Sequence, residues 1–321
     1  MLFDGIGAAN LPTVWFAGVL AAFLGTALLL YCLMNELPRD GGREFAHQGN
    51  LSAGKPRGAG LIFILVFAVI GMLFVGKNIE IAIYLLLTVA EMLTGYLDDR
   101  SSIPWNEYKK GLLDLIVAVI AAVTYIRCNG TTITISLLDL QWTVPPLLFG
   151  LAAVILIWVS INVTNCTDGV DGLLGTLSLI TLGTLLLAGQ MAGMDTAFRF
   201  VITVLMACLV GYLWFNATPS LLMMGDAGSR ALGFFIAVAA LKTGDPFLYL
   251  LAALVMIVDG GAGLAKIALL RFLKIHILKN IRTPIHDHVR KNKDWSNTHT
   301  VFRFAAVQLV FSAATIWILL R

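Results

Sequence analysis

Long apolar segments constrain the fold of this chain more than any other feature of its sequence. A transmembrane helix needs about 20 mostly apolar residues. Ten segments qualify, the eighth short and the ninth long: residues 13–35, 60–76, 79–97, 111–127, 145–163, 173–190, 197–215, 230–242, 246–270 and 301–320. Only 13% of the 321 residues are charged, against about a quarter in soluble domains. The sequence therefore predicts an all-α polytopic membrane protein with about ten transmembrane helices in a lipid bilayer.

The distribution of Lys and Arg between the two sets of loops predicts the orientation. One set, which we take to include Arg230, holds 16 of the 22 basic residues, and the other set holds five. Lys266 is left inside a span. Because cytoplasmic loops are enriched in Lys and Arg, the richer set is expected to face the cytoplasm. Ten crossings then place both termini on the extracytoplasmic side.

The segment between the fourth and fifth spans leaves the apolar pattern. The alternation of Thr and Ile over residues 132–135, preceded by Asn129 and Gly130, predicts a small exterior β-hairpin near residues 130–143. There is no internal repeat or long linker, so residues 1–321 are expected to form a single integral membrane domain. The formal net charge of +3 is too small to indicate a nucleic-acid partner.

Polar residues cluster where predicted spans end. Placing charged or strongly polar side chains at membrane depth costs free energy, so such residues usually mark functional sites. The four groups are Asp98 with Asp99, Asn165 with Asp168 and Asp171, Asn216 with Asp226, and His286 with Asp287 and His288. The predicted topology places all four groups on the cytoplasmic side, so we expect them to converge on one site.

The residue types in these groups indicate phosphoryl transfer. Carboxylates beside Lys109, Lys110 and Arg303 suit a divalent cation, because Mg²⁺ takes oxygen ligands and shares them with substrate phosphates. Asp168 and Asp171 are expected at the start of a helix, on one face. Glycines in residues 225–229 precede the eighth span, where free backbone N–H groups favour an anionic phosphate.

Each group taken alone has a simpler explanation. Asp98 and Asp99 could be a solvated helix end. Asp168 could cap a helix, with Asp171 in its first turn, and the histidines of residues 286–288 could be ordinary loop residues. A ten-span chain could also be a transporter, but transporters tend to have internal repeats and polar residues near the bilayer midplane. The joint pattern at one side of the membrane favours an enzyme.

Three segments resemble motifs of the polyprenyl-phosphate N-acetylhexosamine-1-phosphate transferases, and the likeness extends from about residue 54 to residue 303. Residues 95–99, GYLDD, resemble the paired-aspartate motif of that family. Residues 162–172, NVTNCTDGVDG, are similar to its Asn-x-x-Asn-x-x-Asp-Gly-x-Asp-Gly motif. Residues 211–233 resemble the segment that holds its metal-binding aspartate.

The histidine segment points to one branch of the family. Residues 284–288, PIHDH, followed by Trp295 and Arg303, resemble the motif of the enzymes that use a MurNAc-pentapeptide donor. The chain departs from the family pattern at Asp287, where a middle histidine is usual. It also departs over residues 55–57, where Thr-Pro-Thr is usual, and at Met223, which replaces an aromatic residue.

The resemblance implies a Mg²⁺-dependent, multi-pass enzyme of the bacterial inner membrane that acts in peptidoglycan synthesis, with its site facing the cytoplasm. It would transfer phospho-MurNAc-pentapeptide from UDP-MurNAc-pentapeptide to undecaprenyl phosphate, giving lipid I and UMP. The alternative within the family is a UDP-GlcNAc:undecaprenyl-phosphate GlcNAc-1-phosphate transferase. A homodimer is left open, because apolar span faces can bury a partner as well as face lipid.

The resemblance also implies roles for individual residues. Asp98 is expected to deprotonate or orient the acceptor phosphate, supported by Asp99, which could also bind metal. Asp226 is expected to be a catalytic metal ligand, with Asn165 as the second ligand. Direct attack is the simpler scheme, and a covalent aspartyl-phosphate step is left open. The expected substrate-binding residues are Lys110, Asn165, Asp168, Asp171, Asn216, Gly225, His286, His288 and Arg303.

Overall fold

The computed structural model of the chain describes residues 10–42, 52–101, 103 and 105–321, and these residues are largely helical. The ten predicted apolar segments lie largely in helical structure. The helices before the hairpin are α1 (Leu11–Leu33), α2 (Gly60–Val75), α3 (Ile79–Arg100) and α4 (Glu107–Asn129). The helices that follow are α5 (Pro146–Thr167), α6 (Leu173–Met191), α7 (Thr196–Asn216), α8 (Gly225–Lys242), α9 (Leu248–Ala252), α10 (Leu254–Met256), α11 (Ala262–Ala268), α12 (Ile285–Asn292) and α13 (Asn297–Leu320).

Seven of the described helices are long and apolar enough to cross a membrane: α1 extended to Glu36, and α3, α4, α5, α6, α7 and α13. The chain is therefore a multi-pass membrane protein. Of the other three predicted spans, α2 has only 16 residues, α8 contains Asp226, Arg230 and Lys242, and the ninth is interrupted. The number of ten crossings and the orientation of the termini stay predictions.

The ninth predicted span is a chain of short helices rather than one long helix. Ala253 separates α9 from α10, and π-helical turns at Ile257–Gly261 and Leu269–Leu273 flank α11. Gln308 of α13 fills the first break, where its Oε1 accepts from the Val255 N–H at 3.0 Å and its Nε2 donates to the Ala252 carbonyl at 2.9 Å. Helix breaks at membrane depth persist where neighbouring side chains satisfy the freed backbone groups.

The predicted β-hairpin is confirmed, while its place on the exterior side stays a prediction. Strand β1 (Thr132–Ile135) pairs antiparallel with β2 (Leu140–Thr143). Asp245, just after α8, accepts a hydrogen bond from the Ser136 N–H at 2.8 Å. The hairpin is thereby fixed to the end of α8.

Helix α8 lies at the centre of the bundle and contacts α2, α3, α5 and α6. Glycines permit this close packing. A Cβ atom at Gly95 of α3 would overlap the backbone of Asp226 and Ala227, and a Cβ at Gly60 of α2 would overlap the backbone of Gly228. The backbones of α2 and α3 therefore contact the first turn of α8 directly.

The placement of Arg230 in a cytoplasmic loop was wrong. Arg230 lies inside α8 with 2% of its surface exposed, because the helix begins at Gly225, before the apolar run. Its guanidinium donates to Asp114 of α4, and its Nε lies 3.8 Å from Glu91 of α3. Buried charges require partners, and this trio links three helices inside the bundle.

Candidate active site

Three carboxylates from two helices meet at one end of the bundle. Oxygen atoms of Asp98, Asp99 and Asp226 lie within 4.8 Å of one another. Asp98 and Asp99 are in the last turn of α3, and Asp226 is in the first turn of α8. The glycine contact at Gly95 brings these two helix ends together. Clustered carboxylate oxygens are the hard ligands that divalent cations such as Mg²⁺ prefer, so these residues fit a metal ion.

The start of α8 is attached to Asp99. The backbone N–H of Asp226 donates to Asp99 Oδ2 at 2.8 Å. Gly225 has a φ of +67°, and a Cβ there would collide with the same Asp99 oxygen. The expectation of free N–H groups for a phosphate is therefore wrong for Asp226, whose N–H is already used within the protein.

Two cations lie among the three carboxylates. The Lys110 ammonium, in the first turn of α4, forms an ion pair with Asp98 and lies 3.6 Å from Asp226 Oδ2. Arg57 Nη2 lies 2.7 Å from Asp99 Oδ1 and 3.4 Å from Asp226 Oδ1. The structure thus places Lys110 where the sequence predicted it, and it adds Arg57, to which we assigned no role.

A backbone ladder positions Arg57. The Met223 N–H donates to the Pro56 carbonyl at 2.8 Å, and the Gly58 N–H donates to the Met223 carbonyl at 3.1 Å. Burial lowers the pKa of Arg57, but the nearby carboxylates, Asp99 first, raise the pKa more, so that it lies above its usual value. The guanidinium is therefore always charged. The only sequence feature that had singled out Arg57 was the departure of residues 55–57 from the Thr-Pro-Thr pattern of the family.

Asp168 and Asp171 lie in a turn, so the prediction that they lie at the start of a helix was wrong. Helix α5 ends at Thr167 and α6 begins at Leu173, with Gly172 as its N-cap at a φ of +82°. The alternative of Asp168 as the N-cap of α6 is also wrong, because Gly172 in the left-handed region occupies that position. Asp168 is instead the C-cap of α5. Asp171 Oδ2 lies 3.3 Å from the Lys55 ammonium.

The two asparagines contact other parts of the protein. Asn165 Nδ2 donates to Ser229 Oγ at 3.0 Å, one turn beyond Asp226 in α8. Asn216 Oδ1 accepts from the Gly172 N–H, and its Nδ2 donates to the Leu222 carbonyl, both at 2.8 Å. Asn216 thus joins the turn before α6 to the loop before α8. Metal binding by Asn165 and substrate binding by Asn216 stay predictions.

His286 is joined to an acid that the sequence analysis missed. Its backbone N–H donates to Asp259 Oδ1 at 2.7 Å, and its Nδ1 lies 2.8 Å from Asp259 Oδ2. On its other edge, Nε2 lies against Gly169, where a Cβ would collide with it. Asp259 was overlooked because it lies inside an apolar segment, and only its charge at that depth could have revealed it.

The rest of the histidine segment is held by arginines. Asp287 lies 3.5 Å from Arg282 Nε and 3.6 Å from Arg290 Nη1. His288 Nδ1 accepts from the Arg282 N–H at 3.3 Å. Arg303 lies over the Trp295 ring at 4.2 Å, rather than among the three clustered carboxylates.

Comparison with known proteins identifies the family. The family model described as glycosyl transferase family 4 matches residues 81–244. A phospho-N-acetylmuramoyl-pentapeptide-transferase of Treponema pallidum is 41% identical over 319 residues, which cover 94% of this chain and 88% of the relative. The chain belongs to this transferase family.

More distant members of the phospho-N-acetylmuramoyl-pentapeptide-transferase family also align over most of the chain. The relative from Symbiobacterium thermophilum is 27% identical and covers 84% of this chain and 83% of the relative. The relative from Clostridium acetobutylicum is 28% identical, with coverages of 80% and 82%. The resemblance inferred from the motifs is thus confirmed, and the chain is a phosphotransferase and not a transporter.

Proposed function

We propose that this chain transfers phospho-MurNAc-pentapeptide from UDP-MurNAc-pentapeptide to undecaprenyl phosphate, giving lipid I and UMP in peptidoglycan synthesis. The relatives that cover most of the chain have the name of this transferase. The observation that most supports catalysis is the cluster of Asp98, Asp99 and Asp226, which lies inside the segment matched by the family model.

Mg²⁺ would bind at the cluster of carboxylates, with Asp226 as the principal ligand. The bound ion would neutralise charge on the donor diphosphate and on the UMP leaving group. Asn165 would complete the site from α5, because its amide already contacts Ser229 in the first turns of α8. Its side-chain oxygen is the atom suited to a hard cation.

The chain's own cations would reduce repulsion between donor and acceptor. Both substrates bear phosphate, so catalysis depends on neutralising charge and aligning the attacking and leaving oxygens. Lys110 and Arg57 lie among the carboxylates, and Lys55 lies beside Asp171. Lys110 and Arg57 thus supply positive charge within the acid cluster, and Lys55 supplies it at Asp171.

Asp98 is the group we assign to the acceptor phosphate. Its Oδ1 accepts from the Trp105 N–H at 2.7 Å, and its Oδ2 is paired with Lys110. These contacts fix the carboxylate at the end of α3, where it can accept a proton from the acceptor phosphate or orient that phosphate for direct attack. Asp99 supports the site through Arg57 and the start of α8.

The remaining polar residues would bind the nucleotide and the sugar. His286 is assigned here because Asp259 holds Nδ1 and so fixes the orientation of the ring, with Nε2 against Gly169 in the turn that carries Asp168 and Asp171. The other residues that we assign to substrate binding are Asp168, Asp171, Asn216, Gly225, His288 and Arg303.

The enzyme would work in the bacterial inner membrane with its site facing the cytoplasm. The donor is water-soluble, whereas the acceptor's tail stays in lipid, so a site at one end of a helical bundle serves both. Ten crossings with both termini outside, and one domain over residues 1–321, would produce this arrangement. A homodimer remains an open alternative to a monomer.

The decisive experiment measures UMP release by purified protein in detergent with undecaprenyl phosphate and Mg²⁺. We expect release from UDP-MurNAc-pentapeptide, abolished by EDTA and by Asp226→Asn. Release from UDP-GlcNAc alone would assign the chain to the GlcNAc-1-phosphate alternative. Release from neither donor, under conditions in which a known homologue is active, would refute the proposed function.

A further inference from the structure

Arg57 lies on the same oxygen atoms that a metal ion would need. Its Nη2 is 2.7 Å from Asp99 Oδ1 and 3.4 Å from Asp226 Oδ1, while Nη1 is 3.5 Å from Asp40 Oδ1. The side chain is 26% exposed, and those of Asp99 and Asp226 are 1% and 18% exposed. The guanidinium is therefore an internal counterion of the acid cluster and not a surface charge.

Charge and distance make the guanidinium and a metal ion competitors. Three carboxylates with Lys110 and Arg57 give the cluster a formal charge of −1. A divalent cation changes this to +1 and removes any need for Arg57. Mg²⁺ binds oxygen ligands at about 2.1 Å, so an ion on Asp99 Oδ1 would lie close to Nη2. Two cations at that separation repel strongly in a partly buried site.

The surroundings of Arg57 favour movement of the side chain alone. The backbone of residues 56–60 is hydrogen-bonded to Met223 and Met224, so this strand keeps its place. Asp40 stays beside Nη1 and can hold the guanidinium near the cluster after it leaves Asp99. The buried Nε has no hydrogen-bond partner among the described residues. A displaced guanidinium thus has donors free for a new ligand.

We propose that a divalent cation displaces Arg57 from Asp99 and Asp226, and that the released guanidinium then binds the donor diphosphate. A guanidinium presents paired donors that match phosphate oxygens. The donor would lie between the metal and Arg57 and would screen the two cations from each other. Metal and donor therefore bind cooperatively. The metal releases the guanidinium that binds the donor, and the donor reduces the repulsion between the guanidinium and the metal. This inference rests on the proposed function.

The first test measures Mn²⁺ affinity without any donor, by electron paramagnetic resonance on purified protein, with Mg²⁺ as a competitor. Arg57→Gln removes the competing cation and should bind Mn²⁺ about fivefold or more tightly than the native protein. Arg100→Gln is the matched control, because Arg100 follows Asp99 in the sequence but its side chain is exposed to solvent. Its loss should change the Mn²⁺ affinity less than about twofold. Equal or weaker Mn²⁺ binding by Arg57→Gln would overturn the proposal.

The second test measures the coupling between metal and donor. UDP-MurNAc-pentapeptide should tighten Mn²⁺ binding to the native protein, and this tightening should be largely lost in Arg57→Gln. Arg57→Lys keeps the charge but not the paired donors, so its Mn²⁺ affinity without donor should match the native value while the KM for the donor rises. If Arg57→Gln fails to fold, an unchanged donor KM in Arg57→Lys would still refute the phosphate role.

The two proposals fail in different ways. Native protein that releases no UMP from UDP-MurNAc-pentapeptide contradicts the proposed function, yet the donor-free Mn²⁺ titration still reports on Arg57. Native protein that is active, with the same Mn²⁺ affinity in the native and Arg57→Gln forms, contradicts only the displacement of Arg57.

Discussion

The backbone N–H of Asp226 donates to Asp99 Oδ2 over 2.8 Å, so the end of α3 and the start of α8 are joined by a carboxylate of the candidate site itself. The other oxygen of Asp99 faces Arg57. One oxygen of Asp99 thus holds the two helix ends together, and the other forms an ion pair with Arg57. Substitutions of Asp99 can remove the ion pair while keeping the hydrogen bond to Asp226.

Asp99→Asn should reduce turnover strongly while leaving the fold intact. The amide oxygen can still accept from the Asp226 N–H, but the negative charge next to Arg57 is lost. We expect kcat to fall by about 100-fold or more, with a melting temperature in detergent close to the native value. Asp99→Ala leaves the Asp226 N–H without this acceptor, so it should lower both the turnover and the free energy of unfolding, the latter by about 1–3 kcal/mol. Equal melting temperatures for the two variants would contradict this account.

Asp98→Asn should separate the acceptor role from metal binding. The variant keeps an oxygen for the Trp105 N–H but loses the charge paired with Lys110. UMP release should fall by about 100-fold or more, while Mn²⁺ binding measured without substrates should weaken less than in Asp226→Asn, because Asp98 is paired with Lys110. Asp226→Asn serves as the comparison and should lose both activity and Mn²⁺ binding. Near-normal lipid I formation by Asp98→Asn would remove the role assigned to this residue.

Arg230→Leu should destabilise the protein markedly. The substitution leaves Asp114 and Glu91, both fully buried, without their cation. Loss of one partner from a buried ionic group costs about 3–5 kcal/mol, which thermal unfolding in detergent would report. Arg271→Leu is a matched control, because Arg271 pairs with Glu107 at the surface, where the side chains are 53% and 78% exposed. Such surface pairs contribute at most about 1 kcal/mol.

Gly95→Ala should inactivate the enzyme by separating α3 from α8. The new methyl group would overlap the backbone of Asp226 and Ala227, and overpacking of this kind typically costs about 1–3 kcal/mol. Both UMP release and Mn²⁺ affinity should fall, since the carboxylates come from these two helices. Gly150→Ala in α5 is the control: its nearest neighbour is Ile126 Cδ1 at 3.5 Å, an ordinary contact. Similar behaviour of the two variants would contradict the packing argument.

Hydropathy predicted the helical segments because each one is a long apolar run, and the alternating Thr and Ile residues predicted the hairpin. The same averaging over windows concealed Asp259, which lies within the ninth apolar segment and pairs with His286. Arg230 was assigned to a loop because the apolar run begins there, whereas α8 begins earlier, at Gly225. The break between α9 and α10 depends on Gln308 from another helix, so no local pattern predicts it.

The candidate site was predicted less completely than the fold. Motif resemblance located the three clustered carboxylates and Lys110, because their spacing is retained in this chain. It did not reveal the contact of Arg57 with Asp99, since that contact joins a loop to a helix end that is close only in the folded protein. The turn at Asp168 was misjudged because the left-handed φ of Gly172 delays the start of α6.

The complete enclosure of α8 also bears on how the protein enters the membrane. From Ala227 to Leu241 every residue of this helix is buried by other helices. An unpaired Arg in an inserting helix costs up to about 2.5–3.5 kcal/mol, the value for the centre of a span. The acids that neutralise Arg230 belong to α3 and α4, which the ribosome makes earlier. Synthesis from the N-terminus thus installs Glu91 and Asp114 before the arginine arrives, and we expect α8 to insert by docking onto helices already in the bilayer.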